Sequence, residues 1–210
     1  MAPSNPSEPR FRRRPEARPA EIVAAALEVF AEKGFEAARM EAVARRAGVS
    51  KGAIYLYFPT KAELFRAVVR DAVSPNLEMV RTLAASAPDL RTALSAAYPA
   101  LAARIAADRR ISGVAKLVIA ESRNHPELAA IWHENVVEPG LQLISGLIAR
   151  AQAAGEVRPG DPRLYAMGLM GPMVLSLIWR ETFEPVGGAP VDPPALAAQH
   201  LAVVLKGMQP

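Results

Sequence analysis

Residues 39–61, RMEAVARRAGVSKGAIYLYFPTK, are the stretch that decides the fold. Apolar residues recur from Met40 at positions i, i+3 and i+4, which gives one apolar face of a helix. Gly48 then breaks this pattern, and a residue without a Cβ can take the left-handed conformation that ends a helix. We therefore predict a short helix over about residues 39–47, followed by a tight turn.

Ser50 follows the turn and suits the N-cap position of a second short helix, predicted over about residues 51–56. Two short helices around a tight turn predict a helix-turn-helix, whose second helix enters the major groove of DNA. The alternative is a helical hairpin whose small residues Ala47, Gly48 and Gly52 only let two backbones approach. So many basic and aromatic side chains close together are not needed to form a hydrophobic core, and they favour the DNA-binding interpretation.

Composition indicates a helical protein without thiol chemistry. The chain has 210 residues, of which 51% are hydrophobic, and it is rich in helix-forming residues. The absence of cysteine excludes disulfides, zinc sites with cysteine ligands and thiol catalysis. We predict an all-α fold with room for one domain of typical size and a smaller one.

The excess positive charge lies on the same side of the chain as the helix-turn-helix. Residues 1–71 hold 13 Lys and Arg against 9 Asp and Glu, whereas residues 72–210 hold 12 against 12. Phosphate backbones attract such a basic region, although a basic tail can also be merely solvated.

Residues 1–16 have several Pro and Ser breaks and no hydrophobic period, so we predict a disordered basic arm. Such an arm either reaches along phosphates or into a minor groove, or serves only as a solubilising tail. Its basic residues, with one from the start of the next helix, are Arg10, Arg12, Arg13, Arg14 and Arg18.

The stretch resembles the TetR family of bacterial transcription regulators, with the match covering about residues 22–69. The residues that carry it are Val43, Ala44, Ala47, Gly48, Val49, Ser50, Gly52, Tyr55, Tyr57, Phe58 and Lys61. The resemblance implies a three-helix DNA-binding domain over residues 17–71. Helix 4 then joins it to a larger helical domain over residues 72–210 that binds a small effector and dimerises.

The candidate DNA contacts lie in and around the two short helices. At the start of the second helix, a hydroxyl and backbone N–H groups suit phosphates, and Lys51 suits a guanine edge or a phosphate. The resemblance implies contacts from this helix, from Tyr55 and Tyr57, and from Lys61. The set is Arg39, Arg45, Arg46, Ser50, Lys51, Gly52, Ala53, Tyr55, Tyr57 and Lys61. The three arginines are equally consistent with a solvated face, and Arg39 stands before a helix that Thr or Ser often caps in the family.

Six further helices and their breaks are predicted along the rest of the chain. Thr60 and Glu63 form a capping box that begins helix 4, in which Pro75 predicts a kink or an interruption. Helix 4 is expected over about residues 61–84, and the others over 89–107, 111–123, 126–154 with a bend at 139–140, 162–183 and 194–206, with a loop at 185–190.

The second domain offers apolar residues that can line an effector pocket, although most apolar helix residues simply form a core. The candidates are Met79, Leu83, Tyr98, Leu101, Ile105, Leu117, Ile131, Trp132, Met173, Leu177, Trp179 and Phe183. The resemblance implies a homodimer through two long helices, here about residues 127–154 and 162–183.

Nothing in the second domain predicts an enzyme, a cofactor or a metal site. His125, His133 and His200 are not at metal-ligand spacing, and His133-Glu134 lacks the second histidine of a zinc-protease motif. The longest uncharged stretch, residues 164–179, is shorter than the ~20 residues of a membrane span. We therefore expect a cytoplasmic protein without a membrane segment.

The function expected is a DNA-binding transcription regulator, a repressor that binds a palindromic operator as a dimer and is released by a small hydrophobic effector. The alternative is a constitutive dimeric DNA-binding protein without an effector. The residues do not decide between repression and activation.

Overall fold

The computed structural model describes residues 18–210, and in this part of the chain all regular structure is helical. This confirms the predicted all-α fold. The predicted arm over residues 1–16 and the side chain of Arg18 lie outside the described residues.

The first four helices form the N-terminal part. They are α1 (Arg18–Ala37), α2 (Met40–Arg46), α3 (Lys51–Tyr57) and α4 (Lys61–Ser86). Gly34 has φ 75° and ψ 173°, so the regular helix of α1 breaks there, and one further turn leads toward α2. Thr60 is the N-cap of α4, where its hydroxyl accepts a hydrogen bond from the Glu63 N–H at 3.1 Å, as the capping signal predicts.

The remaining helices form what we call the body. They are α5 (Leu90–Ala107), α6 (Arg109–Glu121), α7 (Pro126–Trp132), a π-helical turn (His133–Val137), α8 (Glu138–Ala153), α9 (Pro162–Thr182), a short 3₁₀ turn (Glu184–Val186) and α10 (Pro193–Gly207). The single bend predicted at residues 139–140 is instead a π-helical turn just before Pro139. The ring of Pro139 removes one backbone N–H, and widening the preceding turn accommodates it.

Pro75 does not interrupt α4, which runs unbroken from Lys61 to Ser86. The carbonyl that loses its helical partner is that of Asp71, and both residues are exposed, so water can satisfy it. Of the two outcomes predicted for Pro75, a kink or an interruption, the interruption is wrong, and α4 covers the span expected over about residues 61–84.

A second proline, Pro172 in α9, is accommodated differently. It cannot donate to the Gly168 carbonyl four residues earlier, and His200 Nε2 of α10 lies 3.1 Å from that oxygen. The Tyr98 hydroxyl of α5 donates to the next carbonyl, that of Leu169, at 2.6 Å. Two neighbouring helices, α10 and α5, thus bind backbone carbonyl groups in the middle of α9.

Two hydrophobic clusters organise the chain. The N-terminal cluster contains the α1–α4 core, including Phe30, Phe35 and Phe65, whose ring centroids lie 5.6 to 5.8 Å apart. It also contains Val114 and Val118 of α6, with Leu128 and Ile131 of α7. The body cluster begins at Ala72 of α4 and joins α5, α8, α9 and α10. Helices α6 and α7 of the body therefore pack against α1 and α4 of the N-terminal part.

Candidate nucleic-acid interface

The turn between α2 and α3 is built by backbone hydrogen bonds around Gly48. The Val49 N–H donates to the Ala44 carbonyl at 2.9 Å, and the Gly48 N–H donates to the Arg45 carbonyl at 3.3 Å. With φ of 66° at Gly48, this is the Schellman pattern that ends helices. Ser50 then caps α3, because its hydroxyl accepts from the Ala53 N–H at 3.2 Å.

The seven residues of α3 are held by one buried side chain. Ile54 is fully buried, whereas Lys51 and Gly52 are exposed and Ala53 is half-buried. Tyr55 and Tyr57 have exposed fractions of 40% and 37%, so each side chain is partly packed and partly open to solvent. The structure thus brings together the α3 residues that the sequence predicted.

Leu56 is the residue of α3 that the sequence analysis missed. Its exposed fraction is 84%, the highest among the exposed large hydrophobic residues of the described chain. Its position was visible in the sequence, because a helix anchored at Ile54 must turn the next two residues outward. A large apolar side chain this exposed, next to two tyrosines, is suited to an apolar group of a binding partner.

Ion pairs already engage two of the predicted cationic contacts. Lys51 lies 2.8 Å from Glu41 Oε1, and this hydrogen bond holds the pKa of the Glu41 carboxyl below its usual range. The Arg46 guanidinium binds both carboxylate oxygens of Glu32, one at 2.8 Å, and it likewise lowers the pKa of Glu32. Both pairs are at the surface, where such pairs are weak and exchange easily for other partners.

Arg39 and Arg45 are exposed on α2. Arg39 occupies the N-cap position and makes no capping hydrogen bond through its side chain. The start of α2 thus lacks the hydroxyl that often caps it in the family, as the sequence indicated.

Lys61 is turned inward, toward the α1–α2 joint, which we define as residues 35–38. Its Nζ donates to the carbonyls of Phe35, Glu36 and Ala38 at 2.6, 3.1 and 3.2 Å. It also lies 4.4 Å from the ring centroid of Phe35. Burial lowers the pKa of Lys61, and the negative charge of Glu121 opposes this shift. All three ammonium hydrogens are therefore engaged within the protein.

Glu121, the last residue of α6, binds the same joint from the body. Its Oε1 accepts from the Phe35 N–H at 2.7 Å and its Oε2 from the Glu36 N–H at 2.9 Å. These partners lie 86 and 85 residues apart in the chain, so no local pattern could have indicated the contact. A sequence-based analysis had no signal for it.

The predicted effector residues are dispersed over the body. Tyr98, Ile105, Met173 and Leu177 are buried in the body cluster, and Leu101 and Trp132 pack against it. Met79 and Leu83 are half-buried, and the Trp179 indole donates to the Ala189 carbonyl at 2.8 Å beside the exposed Phe183. Leu117 and Ile131 belong instead to the N-terminal cluster.

A cavity of about 150 Å³ brings together two members of that set, Ile105 and Leu177. Arg180 also lines it, and its guanidinium donates to the carbonyls of Ile105 and Ala106 at 3.1 Å. The rest of the wall combines the polar residues Ser176 and Glu184 with Ala106, Pro190, Val191 and Pro193. The cavity lies between α5, α9 and the chain before α10.

Within residues 18–210, no helix is long and apolar enough to cross a membrane. Over the same range, no group of three His, Asp or Glu side chains is placed to hold a metal ion.

Two family comparisons cover most of the described chain. Residues 22–68 match the bacterial regulatory proteins of the TetR family, and residues 88–193 match the tetracycline repressor-like C-terminal domain. The second match spans half of the chain.

Individual relatives are similar over long segments. The fatty acid metabolism regulator protein of Bacillus subtilis is 25% identical over 152 residues, 72% of this chain and 77% of that protein. The transcriptional repressor KstR2 of Mycolicibacterium smegmatis is 26% identical over 220 aligned residues, 99% of this chain and 96% of that protein.

Solved structures share the fold. The transcriptional regulator FadR from Bacillus subtilis, in complex with stearoyl-CoA, superposes with a TM-score of 0.73 at 22% identity. That alignment covers 90% of this chain and 99% of the other.

The relatives are transcription regulators, not enzymes, and the helix-turn-helix with its displayed α3 is the part of this chain suited to DNA. The chain belongs to the TetR family of DNA-binding transcription regulators.

Proposed function

We propose that this regulator binds a palindromic operator as a homodimer, represses transcription there, and is released by a hydrophobic effector. The observation that carries the DNA-binding part is the display of α3, in which Ile54 alone is buried. The six other side chains of this helix, or their backbone atoms, are available to a major groove. In this proposal Ser50, Lys51, Gly52, Ala53, Tyr55 and Tyr57 contact the operator.

Leu56 joins this set as an apolar contact. The major groove presents one apolar group, the C5 methyl of thymine. A leucine with an exposed fraction of 84% beside Tyr55 suits this methyl group, and burying both on binding is favourable. The residue would therefore contribute to the choice of sequence.

The cationic residues divide into two roles. Arg39 and Arg45 are exposed on α2 and would contact phosphates, and Lys51 and Arg46 would exchange their surface carboxylates for phosphates. Lys61 would act indirectly, because a phosphate contact requires it to give up a carbonyl of the α1–α2 joint.

The dimer is proposed through α8 and α9. One face of α9 is buried in the body, whereas Leu164, Met167, Val174 and Leu175 are exposed large hydrophobic residues of the same helix. Exposed Gly168 and Gly171 between them leave room for another helix. A second copy of this surface would bury the apolar face and place two α3 helices about 34–36 Å apart, one turn of DNA.

The effector proposed is a lipid-derived hydrophobic molecule, bound among the apolar residues of the body. Two similarities support this class: the fatty acid regulator relative and the fold shared with a protein solved with stearoyl-CoA. The cavity at Ile105 and Leu177 has a partly apolar wall, and Arg180 and Glu184 provide charged groups of opposite sign. The effector is proposed to favour a conformation of the body that binds DNA less tightly. The effector and the DNA then weaken each other's binding by the same factor.

The test begins with an operator selected from random duplexes by the purified protein. Fluorescence anisotropy at about 150 mM salt should then show at least about a thousandfold preference over a scrambled duplex. Equal affinity for the two duplexes would refute sequence-specific binding. Stearoyl-CoA should release the operator complex and raise the unfolding temperature by mass action.

The competing function is a constitutive dimeric DNA-binding protein whose body only dimerises. It predicts the same operator preference, with no release and no thermal shift across stearoyl-CoA, shorter acyl-CoA thioesters and steroids. These two measurements therefore separate effector control from DNA binding itself.

A further inference from the structure

The α1–α2 joint is the place where the body touches the start of the helix-turn-helix. It follows the break at Gly34 and leads through Arg39 directly into α2. Because α2 and α3 share the turn at Gly48, the orientation of α3 depends on how this joint is held.

The N–H groups of the joint are satisfied by the body. After the break at Gly34, Phe35 and Glu36 begin a new turn, and first-turn N–H groups have no partner within a helix. Glu121 accepts from both through a bidentate, charge-assisted contact at 2.7 and 2.9 Å. Gly34 leaves the space for it, since a Cβ at that position would collide with Glu121 Oε1.

The carbonyl groups of the same joint are satisfied by α4. The Lys61 ammonium donates to three of them, and its charge faces that of Glu121 across the joint. The joint is thus held by a cation from one helix and an anion from another. A displacement of α6 relative to α4 would therefore move the N–H groups of the joint, which Glu121 binds, relative to its carbonyl groups, which Lys61 binds.

Packing places the end of α6 close to this contact. Val114 and Val118 of α6 are buried in the N-terminal cluster with Phe35, and the His125 ring lies 5.1 Å from the Phe35 ring. On its other face, α6 contacts α9, where Ser112 bonds with Glu181 at 2.7 Å and Arg180 at 2.7 Å. One helix therefore links the proposed dimer helix to the joint.

We propose that Glu121 is a positioning residue for operator binding, which fixes the α1–α2 joint and couples α6 to the orientation of α3. This inference rests on the proposed contact of α3 with the operator. It gives the body a connection to the DNA-binding helices that is separate from the continuous helix α4.

The experiment uses the full chain with Glu121→Gln and a matched control, Glu78→Gln. Both variants lose one negative charge, but Glu78 is exposed on α4 and, within residues 18–210, pairs only with Arg81, at 3.9 Å. Glu121→Gln keeps one acceptor and places an NH₂ group against the second N–H. We expect operator affinity to fall about tenfold, with binding to a scrambled duplex within twofold of the wild type.

Hydrogen exchange supplies the readout that a merely structural role would not change. In the wild type, saturating operator should slow exchange at residues 35–36 and in α6, residues 109–121. In Glu121→Gln at saturating operator, the change in α6 should disappear while that in α3 remains.

The outcomes separate this inference from the proposed function. A wild type without operator preference refutes the proposed DNA contact. A wild type that prefers its operator but shows no exchange change in α6 overturns the coupling, whether or not the variant folds. Operator affinity of Glu121→Gln equal to that of Glu78→Gln overturns the positioning role.

Discussion

Helices α3 and α9 both display apolar side chains to solvent, but they are built in opposite ways. α3 has seven residues, of which five are exposed and only Ile54 is buried. α9 has 21 residues, buries a full stripe of them, and exposes a second apolar stripe. The short helix presents hydroxyls, one cation and one leucine, whereas the long one presents almost only hydrocarbon.

This difference shows which partner each surface suits. A polar, aromatic surface with one apolar contact suits a groove lined by phosphates and base edges. A long apolar stripe suits another protein surface of the same kind. Variants in the two helices should therefore fail in different measurements.

The largest effect is expected from charges in the exposed stripe of α9. Met167→Glu with Leu175→Glu would bury four unpaired carboxylates in each dimer and weaken it at least about a hundredfold. Sedimentation should show a monomer, and operator binding should be lost with it. The matched control is Val203→Glu on α10, also an exposed apolar residue. If the double variant is still a dimer, the dimer interface does not include this stripe of α9.

The next effect is expected at the anchor of α3. Ile54→Ala should lower the free energy of unfolding by about 2–4 kcal/mol, because it leaves a cavity under a helix with no other buried side chain. Chemical denaturation measures this loss. A change below about 0.5 kcal/mol would mean that α3 is held by its caps and turn instead.

Leu56→Ala tests the other side of the same helix. Its stability should change by less than about 0.5 kcal/mol, since the side chain is exposed. Operator affinity should fall about fivefold through loss of a methyl contact. Replacing operator thymines one at a time with uracil should reproduce this loss in the wild type and add nothing in the variant. Equal uracil sensitivity in both proteins would contradict the contact.

The smallest effect is expected from Glu41→Gln, and its sign is a gain. The variant frees Lys51 from its carboxylate and removes a negative charge beside the DNA, so operator affinity should rise roughly threefold. Glu41 has its pKa lowered by this pair, so the wild-type pair is intact near neutral pH. Anisotropy at two salt concentrations measures the gain, and a weaker operator complex would show that Glu41 orients Lys51 productively.

Features set by neighbouring residues could be predicted from the sequence. Gly48, Ser50 and Thr60 act within three or four residues of chain, and each ends or begins a helix as expected. Whether α4 is interrupted at Pro75 was left open by the sequence, because it depends on the exposure of Asp71, whose carbonyl loses its partner.

Site residues could be predicted where their exposure follows from helix geometry. They could not be predicted where contacts between distant parts of the chain set the orientation of the side chain. Tyr55 and Tyr57 follow from the anchor at Ile54. Lys61 can begin α4 whether its side chain points to a phosphate or to the α1–α2 joint. Only the folded structure shows that it points to the joint. Glu121 has no sequence signal because its partners lie 85 and 86 residues away.

The bond between His200 and the Gly168 carbonyl gives α9 a property that its proline would otherwise remove. Proline in the middle of a helix weakens it by removing one backbone donor, and here His200 of α10 supplies a donor to the Gly168 carbonyl. Helix α10 thus stiffens α9 at its proline, in the helix through which the proposed dimer would form.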